Sequence, residues 1–496
     1  MVLQQKSKAP VWGWARPGEK VRVRASWEQA GDATTADEHG KWKLDLSTPG
    51  AGGPYTISIE GNNSITLSDV LIGEVWLCSG QSNMAMALGR PQPGYNEPVL
   101  NHEAEIAGAN FPQIRLFTVP LVASDTPLDH CDGNWQPCRP QSVAAFSALA
   151  YFFGRELHRE LKVPVGLIHA SWGGSALESW IDRPVLERDQ EYAHILDRYD
   201  TALKNLPRSA RKYQDDIEHW RRLPPAEQQQ IDEPGPPFGV VKHCAPATLY
   251  NGMISPLLPF AIRGVIFYQG EENTVWSCNY HRLFSDLIWS WRAAWQRPEL
   301  FFIYAQLSSF DVNHLDRVVQ NWVNWHKGSD KAAGLTDESW ARVQEAQFKT
   351  LAVPNTGMAV TIDIGSPNNV HPTNKQEVAR RLSLWALAKI HDRDVVYSGP
   401  LYQSMRKEGG MIAIEFERLQ SPLRAGPDGS LQGFFIAGND RAFYPAEARI
   451  RGNEVVVRSP QVQDPAAVRY AWGSNPQHGL YNEQGLPASP FRTDDW

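Results

Sequence analysis

From about residue 71 onward, short unbroken apolar runs each end in a polar loop, and this pattern constrains the fold more than any other feature of the chain. The runs are Glu74–Cys78, Ile114–Val119, Val165–Ala170, Gly264–Tyr268, Phe301–Leu307 and Met358–Ile362. Strands that read apolar on both faces belong in a parallel sheet covered by helices. Helical stripes lie between several of them: Phe146, Leu149, Phe153 and Leu157 behind Ser142 as N-cap; Leu283, Leu287, Ile288, Trp291 and Trp295; and Val378, Leu382 and Trp385. The alternation predicts an α/β domain with a doubly wound parallel sheet over residues 71–391.

The flanks read differently. Residues 1–70 alternate apolar and polar positions, as in K-V-R-V-R-A-S and W-K-L-D-L, with Gly, Pro and Asn between the runs. That is the signature of antiparallel strands. The same pattern returns over 392–496, as in M-I-A-I-E-F and E-V-V-V-R, and predicts a β-sandwich segment there. Residues 181–238 interrupt the α/β alternation. Two helical stripes (Tyr192 to Leu203; Tyr213, Ile217 and Trp220) and a Pro-rich end, D-E-P-G-P-P-F, predict a helical excursion that could serve as a lid. The chain shows no internal repeats, and its 496 residues suit two or three domains.

Composition excludes some functions. A net charge of −7 gives no electrostatic footprint for nucleic acid. No run approaches the roughly 20 apolar residues of a membrane span. The five cysteines include no C-x-x-C pair, so no zinc ribbon or redox motif is expected. Cys131 and Cys138 share one loop and are a candidate disulfide in an oxidising compartment, whereas Cys78 reads as core.

Four strand-terminal loops carry chemistry. In E-V-W-L-C-S-G-Q-S-N-M (74–84), Gly80 permits a sharp turn and Ser82 follows at the rim where α/β sheets bind ligands. In H-A-S-W-G-G-S-A-L-E-S-W (169–180), Gly173 and Gly174 allow close backbone approach and can present N–H groups. In V-I-F-Y-Q-G-E-E-N (265–273), the side chains of Gln269 and Asn273 are candidate donors to developing negative charge. Glu271 and Glu272 are adjacent and so point apart, which does not give a glycosidase its facing pair of carboxylates. In D-I-G-S-P-N-N-V-H-P-T-N-K (363–375), His371 is a candidate base for a serine hydroxyl. Singly, each loop is an ordinary strand-to-helix turn. Together they converge on one end of one sheet.

These blocks resemble the sialate O-acetylesterase group of the SGNH hydrolases and related carbohydrate acetylesterases. G-Q-S-N-M and V-H-P-T-N-K-Q match the family's nucleophile and histidine blocks, and S-W-G-G-S-A-L-E-S-W its glycine block. L-Y-N-G-M-I (249–254) and the opening M-V-L-Q are similar to family sequence as well. Y-Q-G-E-E-N is similar to the family's Y-Q-G-E-S-N, with Glu272 in place of Ser. The resemblance implies an SGNH-like sheet with jelly-roll-like β segments. It implies a carbohydrate O-acetylesterase that takes acetylated mono- or oligosaccharides and needs no metal or organic cofactor. Ser82 is the implied nucleophile and His371 the base. The implied oxyanion hole draws on the N–H of Ser82, on Gly174 or Gly173, and on Gln269 or Asn273. Gln81, Trp172, Asn251 and Glu271 are substrate-binding candidates.

Many SGNH enzymes carry an Asp three residues before the His, and here that position is Asn368. A backbone carbonyl in the Ser366–Val370 loop is the expected partner of His371, with Asp363 as the alternative acid. Family sequence places strands before M-V-L-Q, so the native protein is expected to be periplasmic or secreted. Sialic acid is the leading substrate. Acetylated xylan or xyloglucan fragments are the rival within the same chemistry, and a carbohydrate-binding protein with a vestigial site is the rival class.

Overall fold

The computed structural model describes residues 1–89, 94–228, 233–234, 236–237, 241–313, 335–417 and 419–496. Six of the described strands run parallel in the central sheet: β1 (Ser64–Gly80), β2 (Phe111–Thr118), β3 (Val165–Ser171), β4 (Gly264–Tyr268), β5 (Phe301–Ala305) and β6 (Thr356–Ala359). Their spatial order is β6-β5-β4-β1-β3-β2, with Gln136–Cys138 antiparallel on the outer edge of β2. All six sequence-predicted strands are present. The last ends earlier than expected, because residues Ile362–Ile364 form a 3₁₀ turn.

Helices α1 (Ala148–Leu161), α2 (Ala193–Arg222), α3 (Tyr280–Ala294), α4 (Asp337–Lys349) and α5 (Lys375–Ile390) surround this sheet. The cap of α1 is Ser147, whose hydroxyl accepts from the Ala150 N–H at 3.1 Å. Ser142 instead belongs to a short helix at Pro140–Val143 that precedes it. Asn374 caps α5 through the Glu377 N–H at 3.1 Å. The two stripes of the excursion lie on one 30-residue helix, α2, which carries Pro207 inside it. Buried Ile195, Tyr199 and Ile217 hold it down, and Arg198 bonds Glu178 at 2.6 Å. Residues 232, 235 and 238 of the Pro-rich end lie outside the described residues.

Strand β1 belongs to two sheets. Its first part pairs antiparallel with Gly52–Glu60, and its last seven residues pair parallel with β3. A domain boundary at residues 70 and 71 therefore falls inside one continuous strand. The N-terminal strands pack on a core of their own, around Val23, Leu46 and Val70. Among the described residues the C-terminal strands form two four-stranded antiparallel sheets and a two-stranded one (Leu423–Ala425 with Leu480–Asn482), and Ile412, Ile414, Val455, Ile436 and Val468 of the larger sheets join the core of the central sheet. All five cysteines are unpaired, so the structure contains no Cys131–Cys138 bridge; Cys138 is buried in the edge strand and Cys78 is core.

Candidate active site

The sheet winds outward from β1 in both directions, through β3 and β2 on one side and through β4, β5 and β6 on the other. The carboxyl end of β1 is thus the switch point, where loops on its two sides diverge and leave a crevice. Gly80 is in register with Ser171 of β3 and Tyr268 of β4, so three strands end at one level. A cavity of about 440 Å³ opens there, and its wall includes Ser82, Trp172, Gly173, Gly174, Glu271 and His371.

Ser82 opens a one-turn helix immediately beyond β1. The turn requires glycine at position 80. Its φ is +136°, and a Cβ there would sit 2.1 Å from the Tyr268 carbonyl oxygen. Gly174 has φ +68°, and a Cβ on Gly173 would lie 3.4 Å from the Ser82 Cβ, so the two loops approach backbone to backbone. Among the described residues, the N–H groups of Ser82, Gly173 and Gly174 donate to no other group. Three unspent donors therefore border the serine, which is the arrangement an oxyanion needs.

His371 lies in the same wall, on the loop between β6 and α5. Its own N–H donates to Asn369 Oδ1 at 2.9 Å, which fixes the backbone. Burial, and then the charge of Lys375, push its pKa down to about 3, so the ring is neutral and can accept a proton. The Tyr95 ring packs on the imidazole with centroids 4.6 Å apart, and the Tyr95 hydroxyl donates to the Ser82 carbonyl at 2.9 Å. One side chain thus ties the serine backbone to the histidine ring.

Asp363 is not free to orient that ring. Its two oxygens accept from Arg381 at 2.6 and 2.7 Å. Asn368 is exposed. Among the described residues, neither ring nitrogen of His371 is hydrogen-bonded to a protein group, so the expected carbonyl partner is not engaged either.

Behind the cavity runs a buried chain of polar groups. Lys375 Nζ donates to Asn83 Oδ1, and Asn83 Nδ2 donates to Glu271 Oε1 and, at 3.0 Å, to the Val370 carbonyl. Burial lowers the Lys375 pKa to about 7 and raises that of Glu271. Gln81 reaches the cavity wall, and its Oε1 accepts from the Gly270 N–H at 3.2 Å.

The expected side-chain donors of the third block are placed elsewhere. Gln269 Nε2 donates to Asn273 Oδ1 at 2.7 Å and to the Ser175 carbonyl, while Asn273 Nδ2 donates to Glu178 at 2.9 Å. Neither residue lines the cavity; their amides join the loop after β4 to the glycine block. Asn251 is also outside the wall. Its Nδ2 donates to the Ser124 carbonyl at 3.1 Å and braces the loop after β2. Among the described residues of 181–238, none lines the cavity, so α2 does not act as its lid. The site also holds residues that sequence reasoning passed over: Asn83, Tyr95, Phe310, Trp340 and Lys375. Asn83 and Lys375 stand inside the quoted motifs. Tyr95, Phe310 and Trp340 lie on loops or a helix with no chemical pattern to mark them.

The family model for carbohydrate esterases described as sialic acid-specific acetylesterase matches residues 72–213 and 242–382. The sialate O-acetylesterase of Mus musculus is 28% identical, with 99% of this chain and 92% of the relative covered. That of Homo sapiens is 27% identical, with 99% and 90% covered. The crystal structure of a carbohydrate acetylesterase from Xanthomonas citri is 35% identical and superposes with a TM-score of 0.80, over 100% of this chain and 97% of that one.

Proposed function

Since the chain belongs to the carbohydrate esterase, sialic acid-specific acetylesterase family and is a carbohydrate O-acetylesterase, we propose that Ser82 and His371 carry its chemistry as nucleophile and base. The Ser82 oxygen attacks the acetyl carbonyl while the imidazole of His371 takes the hydroxyl proton. The carbonyl oxygen becomes an oxyanion between the N–H groups of Ser82, Gly173 and Gly174. Collapse breaks the bond to the sugar oxygen, which receives the proton from the imidazolium. Water then repeats the sequence on the acetyl-serine, releasing acetate.

The observation that carries this reading is the meeting of Ser82, His371 and three unspent N–H donors in one cavity at the switch point of the sheet. A single lost oxyanion donor costs on the order of 10²–10³ in turnover, so three preset donors are a large share of the rate. The variant Ser82→Ala should fold normally and lose about 10⁶ in turnover of 4-nitrophenyl acetate. Activity near wild type in the purified variant would overturn the assignment.

The acetylated saccharide itself is proposed as O-acetylated sialic acid, following the family. A second reading has support in the cavity wall, to which both Glu271 and Glu272 contribute. Carboxyl groups there favour a neutral sugar ester, such as an acetylated xylan or xyloglucan fragment, over an anionic sialate. Acetate release from acetylated sialosides and from xylan and xyloglucan oligosaccharides decides between them. A periplasmic or secreted location is proposed with either substrate, and fractionation of cells making the native gene product tests it.

A further inference from the structure

The cavity wall contains a ring pair that the chemistry above leaves unused. Trp172 borders the cavity, and His243, from the turn Lys242–Cys244, lies flat against it with centroids 4.8 Å apart and planes at 8°. His243 is itself outside the wall, so of the stacked pair Trp172 is the ring that reaches the cavity. The next residue holds the same loop by a second contact, since Cys244 Sγ donates to the Gly174 carbonyl at 3.0 Å. The turn is anchored in its own right. The Thr248 hydroxyl donates to the Lys242 carbonyl at 2.6 Å, and the Ala247 N–H donates to the Glu178 carbonyl at 2.9 Å. Two successive side chains from a distant part of the chain thus brace the glycine block at two points, Trp172 and Gly174.

We propose that the Trp172–His243 stack is the platform for the pyranose ring that bears the acetyl group, with His243 as the positioning residue that fixes the plane of Trp172. A sugar ring presents a flat face of C–H bonds, which an indole face matches in shape and polarity. An indole free to change rotamer would lose that match, and a parallel aromatic neighbour suppresses the change. Cys244 has the companion role of holding Gly174, whose N–H faces the oxyanion, so the two residues act on different kinetic constants.

This inference rests on the esterase reading, and its test separates the two. Two substrates are compared: 4-nitrophenyl acetate, which has no pyranose ring, and the sugar acetate that the wild type turns over best. His243→Ala should raise KM for the sugar ester about three- to tenfold, the worth of an aromatic stack, and raise it more than it lowers kcat. His243→Phe, which keeps a flat ring, should restore KM. Cys244→Ala should instead lower kcat on both substrates, with Cys244→Ser restoring it. Equal changes on both substrates in His243→Ala, or failure of Phe to rescue, would overturn the platform while leaving the esterase intact. Absence of wild-type activity on both substrates would overturn the esterase reading itself.

Discussion

Among the described residues no carboxylate bonds the ring of His371, the proposed base, and its surroundings set how it titrates. Burial and the neighbouring Lys375 hold its pKa at about 3, against an ordinary value near 6.5. Lowering the pKa favours the neutral ring, so the base stays competent well below pH 6.5. The pH profile of kcat/KM should therefore lack an acid limb near 6.5, with activity persisting to below pH 5 where the protein remains folded; a limb at the ordinary imidazole value would contradict the burial argument. With no carboxylate at the ring, Tyr95 gains importance, since it packs on the imidazole and donates to the Ser82 carbonyl. Tyr95→Phe removes only the hydrogen bond and should lower kcat by up to about tenfold. Tyr95→Ala also removes the ring and should lower kcat further. If both variants turned over as fast as the wild type, the bridge would have no catalytic weight. That Ser82 and His371 stand at one cavity was legible in the sequence, because a strand end followed by a fixed polar motif is a chemical pattern. Tyr95 was not, since a tyrosine in a loop carries no pattern until the fold brings it to the site.

At the scale of elements, the ion pair between Asp363 and Arg381 joins the segment after β6 to α5, the two pieces that flank His371. Both partners are largely buried, at 12% and 5% side-chain exposure. Complete loss of a buried pair costs about 3–5 kcal/mol; Arg381 keeps Glu377 at 2.8 Å, so removing Asp363 alone costs less than that. Asp363→Asn should therefore lower the urea midpoint clearly, while turnover of the folded enzyme falls less than about tenfold. A loss near 10⁴ in turnover, as when a triad acid is removed, would mean that Asp363 serves the histidine after all. The six parallel strands could be read because they are apolar on both faces. Helix α4 could not, because it turns polar side chains inward: Gln347 accepts from the Leu307 N–H at 2.8 Å, and Gln344 donates to the Leu307 carbonyl at 2.9 Å. Those residues are satisfied by the end of the sheet, and no apolar stripe announces them. The side chains expected in the oxyanion hole lie outside the cavity wall for a related reason. Gln269 and Asn273 have the right donors, but a buried carboxylate, Glu178, claims the Asn273 amide, and partners of this kind are invisible to a linear reading.

The whole molecule is held together by shared parts more than by abutting ones. The C-terminal sheets share the core of the central sheet. Arg492 reaches back to Glu345 on α4 at 2.9 Å, and Gln306, just past β5, bonds Ser489 at 2.9 Å. The N-terminal sheet has a core of its own but owns half of β1. Differential scanning calorimetry should accordingly show one cooperative transition for the whole chain, with the calorimetric and van't Hoff enthalpies in agreement; a separate early transition for the N-terminal sheet would contradict the coupling. The continuous strand also bears on ancestry. A sugar-binding module tied on by a flexible linker can be exchanged between enzymes by recombination in the linker. Here any crossover at the border would cut a hydrogen-bonded strand whose far end delivers Ser82, so the flanking sheet and that serine must be inherited together.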